Sequence, residues 1–311
     1  MQTRRKFITQ TTLAAGALFT SNTVLGVDNS ANEIQRITIL HTNDVHSRLD
    51  PFPMDGSRMQ GLGGVAQRSA LIKQIRKEVD HVLLLDAGDI FQGTPYFNVY
   101  KGEPEIKSMS VMKYDASTIG NHDFDGGLDN LSLQLQHADF PIIICNYDFV
   151  DTPMIKKYKE YKTFKKGKLK IGVTGVGIEL RGLVADDLFG NTKYLDPISN
   201  ANRVALNLKK EENCDLVICL SHLGFRYQSD KISDEVLAKQ SENIDLIIGG
   251  HSHTFFEKPL TYKNKIGDDV IVNQVGWGGI VLGRLDFEFS KLKNKNLANS
   301  HTVVIGKKTR E

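Results

Sequence analysis

Five apolar, strand-like runs in this chain each end in side chains of the kind that hold metal ions. No other feature constrains the fold as much. Ile37 to Leu40 runs through His41 to Asn43, Asp44 and His46, and Val82 to Leu85 leads to Asp86, Gly88 and Asp89. Ala116 to Ile119 leads to Gly120, Asn121, His122 and Asp123, and Leu216 to Leu220 leads to Ser221 and His222. Ile244 to Ile248 leads to Gly249, Gly250, His251, Ser252 and His253. Sites in open α/β sheets form outside the carboxyl ends of strands, so these five ends are expected to converge on one place. Imidazole, carboxylate and amide donors without thiolate suit zinc, manganese or iron rather than calcium. Taken singly, Asp-x-His is usually a loop, and G-H-x-H or G-N-H-D only suggests a site. Together and in this order, each at a strand end, they are poorly explained by chance.

Further β-type runs are expected at Pro141 to Cys145, Lys170 to Val176, Val270 to Gln274 and Val281 to Phe289. Helix-period segments lie between them. Gly64 to Val79 places Val65, Leu71, Ile72, Ile75 and Val79 roughly on one face, and Leu128 to His137 and Ser199 to Glu212 behave similarly. Asp196-Pro197 is a good helix start. Strand–helix alternation points to an α/β domain with helices outside the sheet. Val270 to Phe289 reads as a hairpin-type segment around Gly276, Gly278 and Gly279, and residues 291–311 as a basic, polar tail.

The 39 basic and 37 acidic residues nearly cancel to +2, which gives no reason to expect a nucleic-acid polymer or a membrane surface as partner. The three cysteines, Cys145, Cys214 and Cys219, sit in apolar runs without ligand spacing and read as buried free thiols. Residues 1–26 read as a twin-arginine export signal: T-R-R-K-F-I from Thr3, a modestly apolar stretch from Thr12 to Phe19, then Val24, Leu25 and Gly26. A polar leader at 27–35 would follow, and the expected location is periplasmic. No later stretch reaches the length of apolar sequence that spans a bilayer.

The stretches I-L-H-T-N-D-V-H from Ile39, D-A-G-D-I-F-Q-G-T from Asp86, G-N-H-D-F-D from Gly120, S-H-L-G from Ser221 and G-G-H-S-H-T from Gly249 resemble the calcineurin-like metallophosphoesterase superfamily. More closely, the chain is similar to the catalytic domain of the bacterial periplasmic 5′-nucleotidase / UDP-sugar hydrolase family. The resemblance implies a four-layer α-β-β-α sandwich over residues 36–290 as a single catalytic domain. It implies two divalent cations, one on Asp44, His46 and His253, the other on Asn121, His222 and His251, with Asp89 bridging. It further implies that His122 and Asp125 form a catalytic pair, with Asn121 and His122 also touching the substrate phosphate. His253 stands where some relatives carry Gln, and Asp123 where Glu is often found, the latter with little expected consequence. His41 reads as packing or as support for the ligands rather than as a ligand.

The function so implied is phosphate-ester hydrolysis by metal-bound hydroxide, with nucleotides as substrate. Alternatives that keep the metals are a cyclic-nucleotide or UDP-sugar phosphodiesterase and a sulfur-oxidation thiohydrolase. A third is a metal-bearing subunit that is inactive alone. The family's C-terminal substrate-binding domain is not found in this sequence, and Trp277, the single tryptophan, sits in a Gly-rich turn. The expected partner is a separate chain that supplies the nucleoside clamp, the alternative being a broad, weakly selective phosphatase that holds its substrate by phosphate alone.

Overall fold

Unbroken apolar runs such as Val82 to Leu85 suit strands covered on both faces, and these four side chains are buried. The computed structural model describes residues 34–290 and 295–306. Its strands begin in chain order with β1 (Gln35–Thr42), β2 (Val82–Asp86), β3 (Ala116–Ser117), β4 (Ile142–Ile143) and β5 (Tyr147–Asp148). Next come β6 (Tyr158–Lys159), β7 (Tyr161–Lys166), β8 (Leu169–Gly177), β9 (Lys193–Tyr194) and β10 (Leu216–His222). The last are β11 (Leu246–Gly249), β12 (Leu260–Lys263), β13 (Asp269–Asn273), β14 (Val281–Phe289) and β15 (Lys295–Val304). The helices are α1 (Val65–Glu78), α2 (Pro95–Tyr100), α3 (Glu103–Val111), α4 (Gly127–Gln134), α5 (Asp186–Phe189), α6 (Pro197–Lys210) and α7 (Asp234–Gln240).

Among the described residues there are two main sheets, ordered β15-β14-β1-β2-β3-β4-β6 and β12-β13-β11-β10-β8-β7, and a β5-β9 ribbon. Neighbours from β1 to β4 pair in parallel, as do β8, β10, β11 and β13, so within each sheet their carboxyl ends point one way. Alternation along the strands sorts side chains into layers. Ile37, Ile39, Leu83 and Leu85 meet Ile218, Leu220, Leu246 and Ile248 in a core between the sheets. On the outer face of the first sheet, Leu40 and Leu84 pack with Ile72 and Ile75 of α1 and Met109 of α3. On the outer face of the second, Val217, Cys219 and Ile247 pack with Val204 and Leu208 of α6 and Leu237 of α7. The result is the four-layer α-β-β-α sandwich. Helix α6 starts where Asp196-Pro197 indicates: the Asp196 carboxylate accepts the Ser199 N–H at 2.7 Å. All three cysteines are buried free thiols.

Two expectations need correction. Val270 to Phe289 is not a hairpin, because β13 pairs with β11 and β12 in the second sheet while β14 pairs with β1 and β15 in the first. Gly278 and Gly279 lie in a turn, but it joins no hairpin. Their segment crosses the top of the molecule, tied down by Val275 N–H to Asn43 Oδ1 at 3.0 Å and Gly278 N–H to the Asp44 carbonyl at 2.7 Å. Nor do residues 295–304, expected as tail, behave as one. β15 adds to the edge of the first sheet beside β14, and Ile305 beyond it is buried. An edge strand is held by backbone pairing, so its mostly exposed, polar side chains gave no apolar pattern to read. The export signal at 1–26 and nearly all of the leader lie outside the described residues. Among the described residues no helix is long and apolar enough to cross a membrane.

Candidate metal centre

The loops leaving β1, β2, β10 and β11, with the Gly120 turn beyond β3, bring the candidate residues together. Asp44, His46, Asp89, His251 and His253 all hold left-handed backbone, with φ between 50° and 71°. Non-glycine residues adopt that region at a cost of about 1–3 kcal/mol each, so the surrounding packing must enforce it. The backbone bonds that do so run between loops: Asp44 N–H to Gly88 O at 2.9 Å, and His46 N–H to Asp89 O at 3.1 Å. Close approach also demands glycine at 120, where a Cβ would lie 2.1 Å from Asp89 Oδ1.

Two groups of donors result, Asp44 with His46 and His253, and Asp89 with His222 and His251. Within the first, His253 Nε2 lies 3.5 Å from Asp44 Oδ1 and 3.0 Å from His46 Nε2. Within the second, His222 Nε2 lies 3.0 Å from Asp89 Oδ2. Asp89 Oδ2 is also 3.8 Å from His46 Nε2, so this carboxylate reaches both groups. Asn121 Oδ1 is 2.7 Å from His251 Nδ1. His122 borders the cluster, its N–H donating to Asp89 Oδ1 at 2.8 Å and its Nδ1 facing Asp125 Oδ2 at 2.8 Å. All nine candidate residues thus fall in one connected network. His41 stands apart from both groups, its Nε2 2.8 Å from Asn273 Nδ2.

The donor chemistry fits cations. His222 Nδ1 donates to the Ala87 carbonyl at 2.7 Å, which leaves a lone pair on Nε2 facing the Asp89 and Asp44 carboxylates. Lone pairs facing one another need positive charge between them. Burial opposes charge on His222, yet Asp89 and Asp44 raise its pKa to about 10, so a proton is drawn there unless a cation takes its place. Burial also opposes ionisation of Asp89, but His222 and His46 hold its pKa well below the usual carboxylate range. Burial, reinforced by His222, lowers His251 to about 4, leaving it neutral and able to ligate. The hydrogen bond to Asp125 raises the pKa of His122.

Several supporting residues went unassigned in the sequence. Asp123 accepts backbone N–H bonds from Asp89, Ile90, Phe91 and Gly120 at 2.8–3.1 Å and so fastens the β2 loop to the Gly120 turn. Asn43 donates to the Gly276 carbonyl at 2.6 Å, and Gln274 Nε2 donates to the Gly250 carbonyl at 2.6 Å. Only Asp123 had a local signal, an Asp three residues past a glycine at a strand end.

The calcineurin-like phosphoesterase family model matches residues 37–255. The 5′-nucleotidase of Vibrio cholerae is 35% identical over 285 residues, 83% of this chain and 50% of its own length. That of Bos taurus is 32% identical over 291 residues, 86% of this chain and 49% of its own. The crystal structure of a 5′-nucleotidase precursor from Thermus thermophilus superposes with a TM-score of 0.80 at 30% identity, over 88% of this chain and 55% of that one. The chain thus spans about half the length of these relatives. With its fold, its donor cluster and a match over most of its length in agreement, the chain belongs to the calcineurin-like phosphoesterase family and carries the catalytic fold of a metal-dependent phosphoester hydrolase.

Proposed function

We propose that this chain hydrolyses phosphate monoesters, nucleoside 5′-monophosphates foremost, on two divalent cations held by the assembled donors. The observation that carries the reading is the placement of Asp89, 3.0 Å from His222 in one group and 3.8 Å from His46 in the other. Asp44, His46 and His253 would hold one cation and Asn121, His222 and His251 the other, with Asp89 within reach of both. When bound, such a pair activates a water at neutral pH and neutralises charge on the phosphoryl oxygens. The chain's own residues do the rest. The carbonyls of Ala87 and Phe91 orient the rings of His222 and His46, at 2.7 and 3.3 Å. His122 borders Asp89, and its Asp125 partner favours the protonated ring, which can stabilise or protonate the leaving oxygen. The likeness to 5′-nucleotidases supports nucleotides as the substrate class.

The test is hydrolysis of a panel, read as phosphate release from nucleoside 5′-monophosphates and ribose 5-phosphate and as nucleoside monophosphate formed from a nucleoside diphosphate sugar and a cyclic nucleotide. Metal-free protein should be silent, and Mn²⁺ or Zn²⁺ should restore activity, greatest on the monophosphates. Release that survives exhaustive chelation would sink the cation mechanism. Cation-loaded protein that cleaves only the diphosphate sugar or cyclic nucleotide would move the reading to a phosphodiesterase.

A further inference from the structure

Behind the ligand loops lies a cavity of about 10 Å³ with charged side chains in its walls, and none of the functional residues above accounts for it. Val45, Arg68, Asp86, Ile90, Glu105 and Tyr114 are among its walls. Arg68 of α1 and Glu105 of α3 are each only 2% exposed. By distance and angle, Nε and Nη1 of Arg68 and both carboxylate oxygens of Glu105 are buried without a hydrogen-bond partner, and the Ser47 hydroxyl, equally unpartnered, lies near enough to Glu105 to offset part of the rise in pKa that burial imposes on it. Among the described residues neither side chain forms an ion pair. Buried charged groups left without an ion-pair partner are costly, so a guanidinium and a carboxylate lining one cavity call for a bridge.

The lining restricts what the bridge can be. A metal cation would be repelled by Arg68, and an anion by Glu105 and Asp86. A single water is neutral and both accepts and donates. The volume is at the lower bound for one water, about 10–15 Å³, and a buried water needs two to four polar partners. Arg68 supplies donors and Glu105 acceptors. Tyr114 supplies another acceptor: the Thr42 hydroxyl donates to Asp86 at 2.5 Å, so the Tyr114 O–H donates to Thr42 at 2.9 Å and its oxygen keeps a lone pair.

We propose that Arg68 and Glu105 trap one ordered water, and that the bridged pair acts as a strut positioning the ligand loops. Val45 lies between Asp44 and His46, and Ile90 follows Asp89, so the cavity backs the loops that carry these residues. Arg68 also runs under the Gly-rich turn, where a Cβ at Gly279 would lie 2.4 Å from its Nη1. That turn holds Asp44 through Gly278 N–H. Arg68 and Glu105 are positioning residues, and this part of the inference rests on the metal roles given under Proposed function.

The water itself is tested without any metal. A high-resolution crystal structure of the full chain, grown metal-free, should show one density peak about 2.7–3.2 Å from Arg68 and from a Glu105 oxygen. An empty cavity, or Arg68 turned to contact Glu105 directly, overturns the proposal. The strut is tested by calorimetric Mn²⁺ titration. Residues that orient metal ligands typically contribute about 10–100-fold in affinity. Glu105→Met should weaken binding by that factor, and Glu105→Gln, which keeps an acceptor, should restore most of it. Folded Glu105→Met with wild-type affinity removes the positioning role. If Glu105→Met does not fold, Arg68→Lys takes its place with the same criterion. A wild-type chain that binds no Mn²⁺ refutes the metal reading instead, and the crystal structure still decides the water.

Discussion

The Trp277 indole stacks on the His253 imidazole, with ring centroids 5.7 Å apart and planes 14° from parallel. His253 is an open member of the cluster, its side chain 40% exposed, so the indole is well placed to limit its rotation. Since Trp277 is the only tryptophan, its fluorescence should report on that site. Adding Zn²⁺ or Mn²⁺ to metal-free protein should change the emission, and His253→Ala should lose most of the response. Emission that stays flat while calorimetry records binding would contradict ligation by His253. The pair beside Asp89 permits a sharper separation. His122→Ala should retain both cations and lose about 10²–10⁴-fold in turnover, with Asp125→Asn losing less. A His122→Ala enzyme of undiminished rate on a poor leaving group takes His122 out of the chemistry. These residues were legible because metal donors rarely crowd after apolar runs. Asp123 and Gln274 were not, because their work is to receive or give backbone hydrogen bonds across loops distant in sequence.

Elements are tied together by buried polar links as well as by apolar layers. Asp234, in the first turn of α7, accepts the Ser221 hydroxyl of β10 at 2.5 Å and is fully buried, its Oδ2 without a partner. Burial raises this carboxyl from 3.8 to about 8. The folded chain therefore holds the proton more tightly than the unfolded chain. The stability it contributes is complete below about pH 4 and is lost as pH rises toward 8. Asp234→Asn, which mimics the neutral acid, should gain on wild type by about 1 kcal/mol or more between pH 5 and pH 8 in urea denaturation. Equal pH dependence in the two proteins would show that Asp234 is ionised in the fold. At this scale, periodicity located α1 and most of the parallel strands, and the Asp196-Pro197 pair located the start of α6. It failed at β15, whose edge position asks little of its side chains. It failed again between β13 and β14, where three glycines suggested a hairpin but serve a crossing between sheets.

The described residues form two main sheets packed face to face, and the candidate centre draws from both. β1 and β2 of the first sheet lead to Asp44, His46 and Asp89, and β10 and β11 of the second lead to His222, His251 and His253. Each donor group is completed across that divide, Asp44 and His46 by His253, and Asp89 by His222 and His251. Sequence order alone showed which residues would meet. How they divide into groups came from the family resemblance, because it depends on sheet packing that no local pattern records. The proposed function stands or falls on whether two cations share Asp89. The direct measurement is anomalous diffraction from crystals loaded with Mn²⁺, for the wild-type chain and for Asp89→Ala. The expected result is two peaks in the wild type, one beside Asp44, His46 and His253 and one beside Asn121, His222 and His251, with neither at full occupancy in the variant. A single wild-type peak, or an Asp89→Ala chain that keeps both, would contradict it.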